Sequence, residues 1–600
     1  MFDTFVLGLN LAAWITIVAV ICMFLTLIFT KLREDVVFLG VIAVLLISGV
    51  LDTEEALGGF SSNSVVVVGV LFAVLAGLTN TGVLQWISRY MLGTPKGYSS
   101  AVVRLMAPVA LLSSVLSNTT VVALFVNIVK VWSKKLKIAP SKLLIPLSYA
   151  SCLGGICTLI GTPPNLIISG LYASETGIQM NIFATTIPGL ACLVVGILTV
   201  LAFQRLLPVR QSVEDSFKET SEYTAELLVP ADYKHIGMTV EEAGLMNVDG
   251  GSLIEIVRFD REIISPVPGD EYLMGGDRLV FAGQVNKILE LKKTHGLVNA
   301  DHPVFSIHEV DKKRKLRLAY VMRDCELIGL RMSETTIEHD HQLSLVAVGR
   351  HGERIIQSPR DIEIRMGDSL LLECAPRTKD VAKVRGLQFF HNPDVMAEFG
   401  MKTLVSTLIM IGMIVLSSLE IMPLLQSAIL AAFAMMVFHC CTPEQAMKAV
   451  NWNILMIFAG SVVIGTAIQK TGVAEAFANG LMSLCGQDSP LLVMAVMSLA
   501  GTFLTEFISN TAAAAIFYPI VYQAAVSMGV NPMPFLVSLM IAVSCSFATP
   551  IGSPTHMLVY GPGGYRFSDF MKIGLFMNLI ILAVNLIVVN LLYPICLKFE

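Results

Sequence analysis

Apolar residues in this chain gather into long unbroken blocks, and a helix needs about 20 of them to cross a hydrocarbon core. In the first part of the chain such blocks fall near 11–30, 36–51, 64–80, 143–170 and 183–206. In the last part they fall near 401–420, 424–440, 453–470, 535–560 and 572–596. Two further apolar stretches, about 98–130 and 488–527, are each interrupted at the centre by Ser-Asn-Thr. Between the halves the pattern changes to short, alternating, β-branched runs among charged residues, which predicts strands. The first block, Leu11 to Thr30, follows a start with Asp3 and no Lys or Arg, so it reads as a helix rather than a signal peptide. The expected fold is a polytopic α-helical membrane protein carrying a soluble insert.

The halves repeat one another. Thr53-Glu54-Glu55-Ala56 corresponds to Thr442-Pro443-Glu444-Gln445-Ala446, and Thr81-Gly82-Val83 to Thr471-Gly472-Val473. Ser117-Asn118-Thr119 corresponds to Ser509-Asn510-Thr511, and Gly161-Thr162-Pro163-Pro164 to Gly552-Ser553-Pro554-Thr555. These anchors keep their order at an offset of 389 to 392 residues. Five spans separate the copies, an odd number, so the copies are expected to be inverted, as in many secondary transporters. Each would hold five transmembrane helices and one re-entrant hairpin.

Charge sharpens this division. Of the chain's 41 Lys+Arg and 46 Asp+Glu, 24 and 32 lie between Pro208 and Glu398. That distribution, with 54% hydrophobic residues overall, excludes a secreted or cytosolic enzyme. The expected domains are 1–210 and 399–600 in the membrane, with two soluble units at 211–300 and 301–398. Lys31, Arg33, Lys96, Lys130, Lys134, Lys135, Lys137, Lys142, Arg205 and Arg210 mark one side as cytoplasmic, with Asp52, Glu54 and Glu55 opposite. The charged middle is then cytoplasmic. A net charge of −5 gives no footprint for nucleic acid. The cysteines form no CxxC pair, and Cys152, Cys157, Cys440, Cys441 and Cys545 read as small hydrophobes. No GxxxxGK[ST] occurs, which disfavours an ATP-driven pump. No His/Asp/Glu cluster lines the broken helices, so no enzyme is expected.

The Ser-Asn-Thr tips carry the chemistry. Irregular backbone survives at membrane depth only where it lines protein or an aqueous cavity. Ser, Asn and Thr open helices, and a helix start offers free N–H groups and a positive dipole end to an anion. Two tips brought together near the midplane would hold the two ends of a dianion. The loops Gly161-Thr162-Pro163-Pro164-Asn165 and Gly552-Ser553-Pro554-Thr555-His556 also break apolar spans and free carbonyl oxygens, ligands suited to Na⁺. Ser113 and Thr505 each lie four residues before a tip. Hydroxyl, asparagine and loop carbonyls thus form a candidate oxygen cage twice.

The paired hairpins with Gly-Thr-Pro-Pro-Asn downstream resemble the divalent anion–sodium symporters, which include sodium–sulfate and sodium–dicarboxylate cotransporters. The resemblance covers both apolar halves. It implies a homodimer in which a domain carrying both hairpins slides against a fixed scaffold. It implies an anion held by Ser117, Asn118, Thr119, Ser509, Asn510 and Thr511, with Thr162 and Ser553 beside them. It places sodium, the coupling ion, at Ser113, Asn118 and Gly161 and at Thr505, Asn510 and Gly552. His556 departs from the pattern, standing where the first copy has Asn165, which puts the second sodium site in question. Among ionisable residues inside apolar stretches, Glu506 is read as a polar scaffold contact, Arg104 as a suspect by position, and Lys470 as equally suited to snorkelling.

The middle has its own duplication. Ile236-Gly237, Arg258 and Ile263-Ile264 recur as Ile328-Gly329, Arg350 and Ile355-Ile356 at an offset of 92, and Gly276-Asp277 as Gly367-Asp368 at 91. Each copy reads as a strand (Ser252–Arg258; Ser344–Arg350), a second strand, Gly-Asp and a third strand of a small α/β fold. The pair resembles tandem C-terminal domains of regulators of K⁺ conductance, without a GxGxxG. That implies either a dimerisation module or a sensor for a small regulatory ligand. Lys312-Lys313-Arg314-Lys315 reads as a solvated linker. The expected protein is a sodium-coupled importer of sulfate or a related oxyanion in the plasma membrane. The alternatives are a C4-dicarboxylate or citrate transporter, an oxyanion channel or efflux permease, and a membrane receptor.

Overall fold

The computed structural model describes residues 10–30, 32–82, 97–210, 224–248, 251–259, 262–284, 295–299, 315–335, 343–355, 357–374, 386–389, 400–419, 421–473 and 489–593, with shorter stretches between. Lys31, Val83, Lys96, Lys312 to Arg314, Ile356 and the domain boundaries at 211, 300/301 and 398 lie outside the described residues.

The first half holds α1 (Leu11–Phe29), α2 (Glu34–Ile47), α3 (Thr53–Gly58), α4 (Asn63–Asn80), α5 (Tyr98–Ser113), α6 (Asn118–Leu136), α7 (Ser141–Gly155), α8 (Pro163–Thr176) and α9 (Thr186–Ala202). The second holds α10 (Met401–Ser418), α11 (Leu424–Val437), α12 (Pro443–Ala449), α13 (Trp452–Lys470), α14 (Pro490–Leu504), α15 (Asn510–Ser527), α16 (Pro532–Ser544), α17 (Pro554–Tyr560) and α18 (Phe567–Leu592). The elements correspond one to one. Among the described residues α10, α13 and α18 are long and apolar enough to cross a membrane alone, and seven other helical stretches, Leu11–Leu27 and Val65–Asn80 among them, are apolar but shorter. Each expected span near 143–170 and 535–560 is in fact two helices, parted by loops over 156–162 and 545–553 whose Gly-Thr-Pro and Gly-Ser-Pro ends open the second helix.

The first anchor of the repeat has a local cause. Asp52 Oδ1 accepts from the Glu55 amide at 2.8 Å and Glu55 Oε2 accepts from the Asp52 amide at 2.9 Å, a reciprocal cap. Thr442 and Gln445 make the same pair at 3.2 and 2.9 Å. Each cap seats a short helix between two longer ones, with Ala56 and Ala446 buried.

Two groups of helices follow from the packing. In the first, α2 and α3 pack on α13, α4 packs on α10, α11 and α12, and α1 lies on α2. In the second, α7 packs on α5, α6 and α9, α16 packs on α14, α15 and α18, and α17 packs on α6 and α7. Helix α8 touches both groups, against α4 and against α15 and α16. Helices α7 and α16 are buried almost throughout. The two copies interlock there: Tyr149 Oη donates to the Phe547 carbonyl at 2.9 Å, and Ser148 Oγ lies 2.6 Å from His556 Nδ1.

The middle holds two antiparallel sheets. The first comprises β1 (Thr224–Leu228), β2 (Asn247–Val248), β3 (Gly251–Arg258), β4 (Glu262–Ile264), β5 (Arg278–Gly283) and β6 (Val298–Asn299), ordered β2-β3-β5-β1-β6 with β4 on β3. The second comprises β7 (Lys315–Val321), β8 (Leu343–Arg350), β9 (Glu353–Arg354), β10 (Ser369–Cys374) and β11 (Leu387–Phe389), ordered β11-β7-β10-β8-β9. Thus β3-β5-β1-β6 and β8-β10-β7-β11 are the same arrangement. Strands β1, β2, β6, β7 and β11 go beyond the three expected in each unit. Between β5 and β6, Lys287, Ile288 and His295 are helical, and the residues around them lie outside those described.

The Gly-Asp anchors have a geometric cause. Gly276 and Gly367 turn with φ of +88° and +84°, a region that favours glycine. The turn aims Asp277 and Asp368 at Arg258 and Arg350, with nitrogen–oxygen distances of 3.0 and 2.7 Å. The Asp277 carboxylate pushes the Arg258 pKa above its usual range. Ile254, Val257, Val280 and Ala282 of the first sheet pack against Val346, Ala347 and Leu371 of the second. The second unit also meets the helices. Lys130 Nζ donates to Tyr320 Oη at 2.8 Å, and His351 Nδ1 lies 2.8 Å from the Tyr565 carbonyl oxygen.

Candidate functional site

Each tip is the start of a helix. Ser117 caps α6 and Ser509 caps α15, both with non-helical backbone, so Asn118 and Asn510 are first helical residues. Ser509 Oγ accepts from the Ala512 amide at 3.2 Å, whereas Ser117 makes no such side-chain cap. Behind each asparagine sits a buried hydroxyl. Ser113 Oγ donates to Asn118 Oδ1 at 2.5 Å, and Thr505 Oγ1 to Asn510 Oδ1 at 2.6 Å. Ser151 Oγ, 2.8 Å from Ser113 Oγ, extends the first pair. Ser546 Oγ approaches Asn510 Oδ1 at 3.4 Å in the second.

The broken loops are tied to the tips by a threonine in each copy. Thr158 Oγ1 donates to the Ser114 carbonyl and accepts from the Gly161 amide at 3.1 Å. Thr549 Oγ1 donates to the Glu506 carbonyl at 2.9 Å and accepts from the Gly552 amide at 3.0 Å. Glycine is required at the first loop because a Cβ on Gly161 would fall 2.5 Å from the Gly155 oxygen and 2.9 Å from that of Ser113. The departure at His556 preserves a local role. Asn165 Nδ2 donates to the Thr158 carbonyl at 3.0 Å, and His556 Nε2 lies 2.6 Å from the Ser546 carbonyl.

One cavity of about 550 Å³ collects these parts. Ser117, Asn118, Thr119, Thr162, Ser509, Asn510, Thr511 and Ser553 all line it, as does Gly161. Ser113, Thr505 and Gly552 are set behind the lining; Ser113 and Thr505 hold the asparagines from there. The opposite wall is apolar, with Val68, Leu71, Phe72 and Leu75 of α4, so the cavity lies between the two helix groups. Glu34 is the one ionisable residue among the described lining residues, and no Lys or Arg is among them. An anion here would meet hydroxyls, amides and helix starts. For a hard cation the donors are equally apt, being neutral oxygens, and Asn165 Oδ1 is buried with no hydrogen-bond partner.

The remaining ionisable suspects lie elsewhere. Glu506 accepts from the Ala548 and Thr549 amides at 2.9 and 2.8 Å and from Asn578 Nδ2 at 2.6 Å, so it braces the second loop. Arg104 is exposed on α5. Lys470 Nζ pairs with Glu55 Oε2 at 2.7 Å. Sequence reasoning missed Thr158 and Thr549, although Thr-Leu-Ile-Gly-Thr-Pro and Thr-Pro-Ile-Gly-Ser-Pro repeat at the same offset as the other anchors. It also missed Glu34, Thr79, Asn451 and Asn453 of the cavity wall.

The citrate transporter family matches residues 24–542, with a second match over 482–599, so both tips and both loops fall within it. The chain belongs to that family. Membership makes it a polytopic membrane transport protein rather than an enzyme. An uncharacterized transporter from Synechocystis is 30% identical over 598 residues, covering 96% of this chain and 97% of that protein. A putative sulfur deprivation response regulator from Chlamydomonas reinhardtii is 30% identical, covering 90% and 95%. A probable sodium/sulfate cotransporter from the same alga is 24% identical, covering 88% and 82%.

Proposed function

We propose that this protein is a sodium-coupled symporter that imports a small divalent anion, sulfate or a related oxyanion, across the plasma membrane. The single observation that carries the reading is the convergence of both Ser-Asn-Thr tips and both broken loops on one cavity lined by neutral donors. Ser117, Asn118, Thr119, Ser509, Asn510, Thr511, Thr162 and Ser553 bind the anion. Sodium binds beside Ser113, Asn118 and Gly161 and beside Thr505, Asn510 and Gly552, where its charge offsets that of the anion. Two Na⁺ balance a dianion, and a third leaves one net charge, worth about 2.3 kcal/mol per 100 mV.

Transport proceeds by an elevator motion of the tip-bearing helices against α1–α4 and α10–α13, in a homodimer. The position of the cavity between the two groups supports this, since sliding one group moves the tips past a fixed apolar wall. The two halves, 1–210 and 399–600, are inverted repeats. The sheets between them form a cytoplasmic regulatory pair, 211–300 and 301–398, open to a small ligand. The likeness to a Chlamydomonas sodium/sulfate cotransporter favours sulfate, and membership of the citrate transporter family favours a second reading, transport of citrate or a C4-dicarboxylate. Uptake of labelled sulfate, succinate and citrate into proteoliposomes, with and without an inward Na⁺ gradient, separates them. Uptake indifferent to Na⁺ would sink the symport reading.

A further inference from the structure

Glu34 begins α2, in the helix group opposite the tips, yet its carboxylate reaches the cavity wall. There Oε2 accepts a hydrogen bond from Ser509 Oγ at 2.6 Å, and Ser509 Oγ lies 3.0 Å from Thr511 Oγ1. Ser509 caps α15, whose start favours negative charge. Among the described residues the first tip has no such guest; the second copy's residue matching Glu34, at the 390 offset, is Leu424. The neighbouring Asp35 is engaged elsewhere, with Arg33 Nη2 at 2.6 Å from its Oδ2. A cation from the soluble middle completes the surroundings. Arg323, just after β7, donates through Nη2 to the Phe507 carbonyl at 3.3 Å, two residues before Ser509, which sets its guanidinium beside the tip that holds the Glu34 carboxylate.

We propose that Glu34 is a tethered competitor for the anion site: its carboxylate and the transported anion contend for Ser509, and Arg323 receives the carboxylate when the anion takes its place. This rests on the anion-symport reading above. The chemistry is exclusive, since a serine hydroxyl has one proton to donate and two anions at one helix start repel. Glu34 therefore weakens anion binding at the second tip without touching the sodium ligands. Because Arg323 belongs to the insert, the seating of the second sheet unit sets how readily the carboxylate leaves. The insert thereby acquires a route to the site that needs no change in the tips themselves.

The test is Na⁺-driven uptake of labelled sulfate and citrate into proteoliposomes by the wild type, Glu34→Gln, Arg323→Gln and the double variant. Glu34→Gln is expected to lower the half-saturating anion concentration about tenfold, the scale of one charge-assisted hydrogen bond. Half-saturation by Na⁺ should stay unchanged. Arg323→Gln is expected to raise half-saturation by the anion, and that effect should vanish when Glu34 is already Gln, a conditional result a merely structural role would not give. Glu34→Asp, shorter by one methylene, should fall between wild type and Gln and guards against a folding defect in any one variant. Unchanged or raised half-saturation in a well-folded Glu34→Gln, or loss of its uptake, overturns the inference alone. Absence of Na⁺-driven uptake of either anion by the wild type overturns the symport reading and the inference together.

Discussion

Ser113 Oγ donates to Asn118 Oδ1 across 2.5 Å, joining the last residue of α5 to the first of α6 behind the first tip. Thr505 and Asn510 repeat the arrangement behind the second. The hydroxyl orients the carboxamide, and the carboxamide stands in the cavity wall. Replacing Asn118 or Asn510 by Ala removes the carboxamide from the cavity wall and leaves a buried hydroxyl without that acceptor. Each variant should cut Na⁺-driven uptake at least about 100-fold, the scale expected when a central binding anchor is lost. Size-exclusion profiles should stay unchanged. Full activity in either would refute the site.

Gly161 and Gly552 differ in what surrounds them. A Cβ on Gly161 meets backbone oxygens of Gly155 and Ser113, whereas on Gly552 it first meets the Ser546 side chain at 2.8 Å. Neither a backbone oxygen nor the Ser546 Cβ can rotate aside, and the approach at Gly161 is the closer, 2.5 Å against 2.8 Å. Gly161→Ala should therefore lower thermal stability in detergent more than Gly552→Ala, by about 1–3 kcal/mol. Equal melting temperatures would contradict the geometry.

Glu506 holds two loop amides and Asn578. Glu506→Ala strips all three of their acceptor, and unpaired buried donors cost about 1–3 kcal/mol each. Its melting temperature should fall well below that of Glu506→Gln, which keeps one acceptor oxygen. The reverse order in a thermal-unfolding assay would mean that the carboxylate is not the brace described.

The second sheet unit is fastened to the helices at Tyr320, whose hydroxyl accepts from Lys130. Tyr320→Phe should cost about 1 kcal/mol and loosen the insert. Limited proteolysis is the measurement: faster cleavage within 315–374 is expected, and an unchanged rate would place the attachment elsewhere. Deleting 212–390 should change transport kinetics or dimerisation. If both stay the same, the insert has no regulatory role.

Local signals explain why much of the site was legible in advance. Ser117-Asn118-Thr119 and its twin interrupt apolar runs, where unpaired backbone demands a partner, and the structure places both in one cavity. Thr158 and Thr549 were equally visible as repeated letters, but their role, bridging loop to tip, needs the loop's path. His556 looked like a lapse in the repeat, yet in place it occupies the same kind of carbonyl contact as Asn165 and reaches Ser148 of the other copy.

What the chain alone determined is whatever depends on neighbours in sequence. That covers apolar blocks long enough for helices, the Gly-Pro breaks, the capping pairs at Asp52 and Thr442, the Gly-Asp turns and both duplications. What only the tertiary structure decided is which surfaces meet. Glu34, beside Arg33 and Asp35, reads in sequence as one charge at a membrane edge. It becomes a partner of Ser509, 475 residues away, because α2 packs on α13 and α13 on α15. Arg323 reaches the second tip because the second sheet unit seats on α6 and on the turn after α17. Contacts between distant segments depend on packing across the whole chain, and no local pattern encodes them.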